Sequence, residues 1–442
     1  MAEAAQHGET GVYDLIGVGF GPSNLALAIA VTEHNAEQAD GAGVSARFLE
    51  RQAGFGWHRG MLLDDATMQV SFLKDLVTLR NPASRYSFLC YLQDRGRLVD
   101  FINHKSLFPL RLEFHDYLEW AAAKVAHLVD WGSEVVGIEP VLRDGVVAYL
   151  DVTARSGVTY RARNVVLGTG LSPRLPDGIT ASDRVWHSQQ LLTQVELLDD
   201  AEPSRFVVVG AGQSAAEVTS FLHQRFPDAE VCAVFSRYGY SPADDSPFAN
   251  RIFDPAAVDD FYDAPAETKQ MLLDYHGNTN YSVVDGELID DLYRRAYQEK
   301  VVGRERLRLL NVSRVRGVTD LPDRVDVQIE SLATGETSEL RADVIVYSTG
   351  YRPADPYSML GEVGGFCPAD DAGRPRVGRD YRVETTPEIE CGIYLQGGTE
   401  HSHGLSSSLL SNSAVRAGEI LTSIVQHAEL EISALPDLAP AR

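Results

Sequence analysis

The sequence predicts an α/β fold with two doubly wound, Rossmann-like units and a smaller, mostly helical portion. Three observations carry this prediction. An apolar strand runs into a glycine turn and an Ala/Leu-rich helix over Tyr13 to Ala30. The same order returns at Arg205 to Glu217, where Gly210-Ala211-Gly212-Gln213-Ser214-Ala215 spells G-x-G-x-x-A between a run of β-formers and a helix. Two further apolar strands, Asn164–Gly170 and Asp343–Tyr351, end in Gly-Thr-Gly and Thr-Gly-Tyr and read as buried strands.

In the first unit, Gly17 allows a tight turn and Gly19 lets backbone approach a pyrophosphate. Gly21 and Pro22 open a helix whose free N–H groups and partial positive charge suit a phosphate. A polar insertion around residues 33–44 precedes the next strand, Ala46–Glu50, and Glu50 stands where a ribose-binding carboxylate belongs. An acid there selects free ribose hydroxyls, as in FAD or NAD. In the second unit the strand Glu230–Phe235 ends in Ser236-Arg237, a cation suited to a 2′-phosphate and hence to NADPH. An acid-tipped unit followed by an arginine-tipped one implies FAD and NADPH in one chain.

Composition narrows the function. The 442 residues suffice for two or three domains, and a net charge of -24 argues against nucleic acid or an anionic membrane as partner. Cys90, Cys232, Cys367 and Cys391 lie far apart, with neither a redox pair nor metal-ligand spacing, so no metal is expected. Met1 to Thr10 has no apolar core of a signal peptide, and no apolar run reaches membrane-spanning length. A cytoplasmic protein is expected.

Along the chain, Arg51 to Arg85 combines aromatics, glycines and polar residues without a period. Trp57 and His58, then Met68 and Gln69, read as a loop laid over a cofactor, and Lys74 is a cation inside an apolar run. Helical spacing returns at Tyr86 to Leu98 and Leu112 to Val129, with Phe114, Tyr117, Leu118 and Ala121 on one face. Val135–Ile138, Val146–Val152 and Val158–Arg163 alternate as antiparallel strands. Ser172 to Pro176 is a linker, Tyr238 to Asn250 is irregular, and helices follow at Ala264–Leu273 and Gly286–Gln298. Val312 to Ile329 alternates again, Gly392–Gly398 is a strand, and a helix runs through Ile424. The expected division is 1–170 for the FAD domain and 200–350 for the NADPH domain, with an insertion at 238–300 forming a substrate wall. Residues 351–430 return to the FAD domain, and 431–442 are a flexible tail.

Asp343-x3-Tyr-Ser-Thr-Gly-Tyr351-x4-Pro356 resembles the D-x3-(L/F)-A-T-G-Y-x4-(H/P) motif of the flavin-dependent N-hydroxylating monooxygenases, departing from it at Tyr347 and Ser348. The resemblance extends through Gly17–Asn24, Met68–Asp75, Gly210–Glu217, Asp244–Asn250, Thr279–Val283 and His403–Ser411. Between Pro82 and Trp120 it is closest to the bacterial L-ornithine N5-hydroxylases of siderophore pathways, with lysine N6-hydroxylases next. The resemblance implies that Met68 and Gln69 face the flavin, and that Lys74 binds the substrate carboxylate. It implies that Asn250 binds the α-amino acid end, that Asn280 lies near the reacting amine and nicotinamide ribose, and that Leu405 and Ser406 form a flavin-side loop. Gln69 and Asn280 are the candidate catalytic residues, and Arg237 matches a residue that holds NADPH. The implied reaction is hydride transfer from NADPH to FAD, capture of O2 as a flavin hydroperoxide, and attack by the neutral terminal amine of L-ornithine. A homotetramer is implied too.

L-Lysine N6-hydroxylation is the alternative. A disulfide reductase lacks its cysteine pair here. A Baeyer–Villiger monooxygenase would need F-x-G-x-x-x-H, whereas Trp186-His187-Ser188 lacks the preceding Phe and Gly. A flavin redox sensor without turnover is the non-enzymatic reading.

Overall fold

The computed structural model describes residues 11–39, 43–198 and 202–434. The expectations for the first ten residues and for the end of the tail lie outside these. Strand β1 (Val12–Val18) leads through the glycine turn into helix α1 (Pro22–Glu37), and β2 (Ala46–Glu50) lies parallel to β1. Helix α1 absorbs the start of the expected polar insertion. The reason is tertiary: Glu33 pairs with Arg80 at 2.6 Å, and the Asn35 amide clasps Val44 N and O at 2.8 and 2.9 Å.

Residues 51–87 are largely irregular, as expected. The helix expected at Tyr86 to Leu98 is α2 (Phe88–Asp94), and a second, α3 (Leu98–His104), follows after Arg95–Arg97. Ser87 caps the first through the N–H of Cys90. Helix α4 (Arg111–Lys124) buries Phe114, Tyr117, Leu118 and Ala121. Strands β3 (Val129–Trp131), β4 (Val135–Arg143), β5 (Val146–Ala154) and β6 (Thr159–Leu167) follow.

Strand β6 merges two strands that the sequence separates. Its first half pairs antiparallel with β5, and along its length it pairs parallel with β1. Asn164 joins the two segments mid-strand, and its amide donates to Asp14 O at 2.9 Å.

The short β7 (Leu171–Pro173) opens the linker, and β8 (Val185–His187) and α5 (Leu191–Glu196) precede the second unit. There β9 (Arg205–Val209), α6 (Gln213–Arg225) and β10 (Glu230–Val234) form the strand–turn–helix–strand. The insertion holds α7 (Pro255–Asp263), α8 (Ala266–His276) and α9 (Gly286–Val302). Helix α7 was not foreseen, because Asp254-Pro255 reads as turn chemistry although Pro fits a first helical turn. Strands β11 (Leu307–Leu310), β12 (Ser313–Asp320), β13 (Val325–Ser331), β14 (Thr337–Ala342), β15 (Val344–Tyr347) and β16 (Tyr351–Pro353) come next. The chain closes with α10 (Pro356–Leu360), β17 (Gly392–Leu395), α11 (Glu400–His403) and α12 (Ser413–Ala434), the last running ten residues past the expected end at Ile424. Its extension includes the good helix formers Gln426, Ala428, Glu429 and Leu430.

The first sheet has the order β3-β2-β1-β6-β5-β4, and β17 joins it beside the second half of β6. The segment beyond residue 350 therefore returns to the first sheet. One face packs on α1, α4 and α12, and the other on residues 360–391. The second sheet, β11-β10-β9-β15-β8, carries α6 and α9 on one face and the β12–β14 meander on the other. In both sheets the glycine turn follows a parallel strand that has neighbours on each side, which is where α/β sheets leave a crevice for ligands.

The chain crosses between the sheets twice, and the crossings, β7 and β16, pair with each other antiparallel. A second tie is ionic. Arg111, at the start of α4, forks onto Glu217 of α6 at 2.9 and 2.7 Å, with side chains 13% and 5% exposed. Removing one partner strands a buried charge. Glu217→Ala should lose about 3 kcal/mol or more in urea unfolding, whereas Arg111→Met with Glu217→Leu together should lose less. A double variant as unstable as the sum of the singles would contradict this.

Candidate active site

The first glycine turn is shaped by contacts a side chain could not share. Gly19 has φ +82°, and a Cβ there would lie 2.6 Å from the carbonyl oxygen of Gly168. At Gly21 a Cβ would meet nothing within 4 Å, so space is open in front of α1. That helix has Pro22 in its first turn, no side-chain cap and no acidic residue there, which leaves its first N–H groups for an anion. Glu50 is buried, and its two carboxylate oxygens accept from Phe20 N at 2.6 Å and Gln52 N at 2.9 Å. It therefore braces the turn, with lone pairs left for ribose hydroxyls.

The second turn repeats the design. Gly210 has φ +140°, and a Cβ there would lie 2.5 Å from Ser348 O. Helix α6 also starts at a glycine, Gly212, without a side-chain cap. The Gln213 side chain is spent within the protein, bridging Glu217 (3.0 Å), Asp285 Oδ2 (2.6 Å) and Asp285 N (2.9 Å). What Gln213 and Ser214 offer a ligand is first-turn backbone. Arg237 donates to Ser282 O at 2.9 Å, and Ser282 crosses Gly212. These contacts put Arg237 at the mouth of the second turn.

Between the turns lie the remaining candidates. Trp57 and His58 stack edge to face, and His58 meets Tyr351 of β16 at 5.8 Å. Burial, aided by the Arg111 guanidinium, pushes the His58 imidazole down to about 4, so it is neutral at physiological pH. Met68 is buried and Gln69 exposed. Lys74 is half-buried with its ammonium 5.8 Å from the ring of Phe253, and no carboxylate reaches ion-pair distance among the described residues. Burial lowers its pKa, partly opposed by Asp254. Next to it, buried Asp75 accepts from the N–H groups of Val77, Thr78 and Phe88 at 3.0, 2.7 and 2.7 Å. That carboxylate fixes the Lys74 turn to the start of α2.

Phe253 ends the 3-10 turn Ala249–Phe253 that carries Asn250, and this turn packs on another, Leu405–Ser408. Lys74, Asn250, Leu405 and Ser406 thus come from three distant segments to one place. The Asn250 amide N–H donates to Asp245 O at 2.7 Å, leaving its carbonyl oxygen as the acceptor. Asn280 is anchored by its neighbour, since Tyr281 donates to Glu400 of α11 at 2.6 Å. The structure brings together Lys74, the Asn250 turn and the Leu405–Ser408 turn; Gln69 bonds only to Thr67 among the described residues, and the Gln213 side chain is not free.

Glu400 and Arg416 have no motif to announce them, and Asp75 and His403 lie in segments of the resemblance without an assigned role. His403 Nε2 lies 3.2 Å from Arg379 O and Nδ1 lies 2.8 Å from Ser402 Oγ. A carbonyl only accepts, so the proton is on Nε2 and Ser402 donates to Nδ1. The ring stacks on Tyr381 at 4.1 Å, and holds the turn into Leu405 and Ser406 from behind.

The model of L-lysine 6-monooxygenase/L-ornithine 5-monooxygenase matches residues 11–353. The chain belongs to that family. The L-ornithine N(5)-monooxygenase of Burkholderia cepacia is 44% identical over 89% of this chain and 90% of its own. Among solved structures, the Kutzneria sp. 744 ornithine N-hydroxylase, as KtzI-FADred-NADP+-L-orn, superposes with a TM-score of 0.90 at 50% identity, covering 95% of this chain and all 100% of that one. The L-lysine 6-monooxygenase of Pseudomonas syringae follows with a TM-score of 0.83 at 32% identity, covering 94% and 99%.

Burial pushes His403 down to about 4 from an ordinary value of 6.5. The unfolded chain takes up the proton first, so the stability from neutral His403 is complete above pH 6.5 and disappears as pH falls towards 4. Over that window His403→Gln should show a loss of unfolding free energy smaller than the parent's by about 3 kcal/mol. Equal losses by urea titration at each pH would contradict the assignment.

Proposed function

We propose that this chain is an L-ornithine N5-monooxygenase that uses FAD and NADPH. The observation that carries the reading is the convergence of Lys74, Asn250 and the Leu405–Ser406 turn between two uncapped, glycine-opened helix starts, α1 and α6. Two anion sites facing one crevice suit two dinucleotides, and the open face of Gly21 suits a close pyrophosphate. In this reading Gly17, Gly19, Gly21, Pro22 and Glu50 hold FAD, with Trp57, His58, Met68, Gln69 and Leu405 around its ring. Gly210, Gly212, the first turn at Gln213 and Ser214, and Arg237 hold NADPH. The flavin, once reduced by NADPH, activates O2.

The protein's own task is to bind, orient and exclude water. Lys74 takes the substrate carboxylate as a charge-assisted hydrogen bond, and the carbonyl oxygen of Asn250 accepts from the α-ammonium. Asn280, held by the Tyr281–Glu400 bond, positions the terminal amine, and Ser406 borders it. Only the neutral amine is a nucleophile, and desolvation in the closed crevice favours that form. The neighbouring histidines His58 and His403 are held neutral by burial, so they add no charge to repel or trap it. The chain works in the cytoplasm as a homo-oligomer, a tetramer by likeness to the family. Exposed Tyr293, Tyr297 and Val301 along α9 give such an assembly an apolar surface. Among the described residues no helix is long and apolar enough to cross a membrane.

The test is product mass analysis with ornithine and lysine offered together. If Lys74 is the ruler, lysine's extra methylene displaces its amine, and a misplacement of about 1 Å costs on the order of a hundredfold. Ornithine should give stoichiometric N-hydroxylation per NADPH, and lysine mainly H2O2. Lys74→Ala should raise the ornithine constant strongly while FAD content stays intact. Equal coupling with both amino acids would remove Lys74 as the ruler. A hydroxylated lysine as main product would favour the lysine-specific reading.

Arg237 discriminates the second cofactor. Arg237→Ala should raise the apparent constant for NADPH much more than that for NADH, because only NADPH has a 2′-phosphate to lose. Equal changes in steady-state kinetics would rule out this contact.

A further inference from the structure

Arg416 lies one turn into α12 and is 1% exposed. Its guanidinium has four neutral partners: Nε donates to Gln396 Oε1 at 2.8 Å, Nη1 to Ser407 O, and Nη2 to Ser23 Oγ at 3.1 Å and Ser413 Oγ at 3.3 Å. Among the described residues no carboxylate comes within ion-pair distance. Glu419, on the same helix, is committed to Arg379 at 2.9 and 3.1 Å. A buried cation without a counter-charge is costly, and burial lowers the Arg416 pKa accordingly.

Its position sharpens the anomaly. Ser23 belongs to the first turn of α1, so the cation sits beside the positive end of one helix and within the first turn of another, α12. Three positive features meet, and none offsets another. Around them are buried polar atoms with no hydrogen-bond partner among the described residues: Ser407 Oγ, Ser411 Oγ, both amide atoms of Asn412 and, beside Ser23, Asn24 Oδ1. Ser407, Ser411 and Asn412 are each at most 5% exposed.

We propose that Arg416 is a positioning residue for the flavin, a buried cation that ties the Leu405–Ser407 turn to α1 and biases the bound flavin toward its reduced form. The inference rests on the FAD assignment made above. Two-electron reduction with uptake of one proton leaves the flavin ring carrying one negative charge. A fixed cation near the ring favours that form over the neutral oxidised one. The same cation restrains the turn through the Ser407 carbonyl and α1 through the Ser23 hydroxyl, so charge and placement act at one point.

The test is the midpoint potential of bound FAD, measured by reductive titration against a reference dye, in the parent, Arg416→Lys and Arg416→Gln. FAD stoichiometry of the parent is read first; a parent that binds no FAD refutes the FAD assignment itself. With FAD bound, Arg416→Gln should shift the ratio of reduced to oxidised flavin about tenfold toward oxidised, a fall of about 30 mV. Arg416→Lys should stay near the parent. An unchanged potential in Arg416→Gln, or a fall in Arg416→Lys as large as in Arg416→Gln, would overturn the proposal, the latter because packing rather than charge would be responsible. Should Arg416→Gln not fold, Ser413→Asp sets a carboxylate against Nη2 and offsets the charge while keeping the ties to Ser23 and Ser407. Its potential should fall, and an unchanged one overturns the proposal equally.

Discussion

Two sheets with separate cores meet where Arg111 forks onto Glu217, and the placement of the candidate site depends on that meeting. The β7–β16 ribbon connects the sheets but is only three residues long on each side, too short to set their angle firmly. The ion pair joins the start of α4 to α6, the helix whose N-terminus forms the second glycine turn. Glu217 also receives Gln213, and Gln213 receives Asp285 at the start of α9. One buried pair thereby fixes α6, α9 and the insertion against the first sheet. The cost of burying it is met by bidentate geometry and by the Met61 carbonyl, which accepts from Arg111 at 3.0 Å.

The crevice places opposite demands on its ionisable groups. In the proposed roles the substrate amine must become neutral, whereas Lys74 must stay charged to hold a carboxylate. Both lose solvent, and solvent loss disfavours charge in each. The structure separates the two by exposure and by neighbours. Lys74 keeps partial solvent access and has Asp254 to oppose its depression. Asp75, alongside, turns its carboxylate to three backbone N–H groups and makes no ion pair with Lys74. An ion pair between them would compete with the substrate.

Much of this was legible in the sequence because local chemistry dictates it. Glycine spacing after a strand, the acid at Glu50 and the arginine after β10 are one-dimensional signals, and their segments adopt the expected elements. What stayed hidden is set by partners far along the chain. That Val158–Arg163 and Asn164–Gly170 run on as one strand is supported by the Asn164 amide on Asp14 O, 150 positions away. The Gln213 side chain looks free in the motif but is consumed by Asp285. Glu400 is one exposed-looking acid among many until Tyr281 is placed against it. Arg416 did leave a trace. It falls among Ser413, Ala417 and Ile420 on the buried face of α12, where helical spacing allows an arginine only with special partners.

The distribution of unpaired polar atoms explains why the end of the chain returns to the first sheet. A finished core satisfies its buried polar groups, yet the side chains of Thr399, Ser407, Ser411 and Asn412 find no hydrogen-bond partner among the described residues. They fall between β17 and α12, in the stretch that also contributes Leu405 and Ser406 to the crevice. Were this segment only packing, apolar side chains of similar size would serve better, since each unpaired buried group costs about 1–3 kcal/mol. The polar choice makes sense where a bound group completes the hydrogen bonds. Rigid anchors hold the segment from behind: His403 on the Arg379 carbonyl, and Arg379 itself between Asp259 of α7 and Glu419 of α12. The same arginine thus braces both the insertion and the returning helix, so the Leu405–Ser408 turn and the insertion share one scaffold.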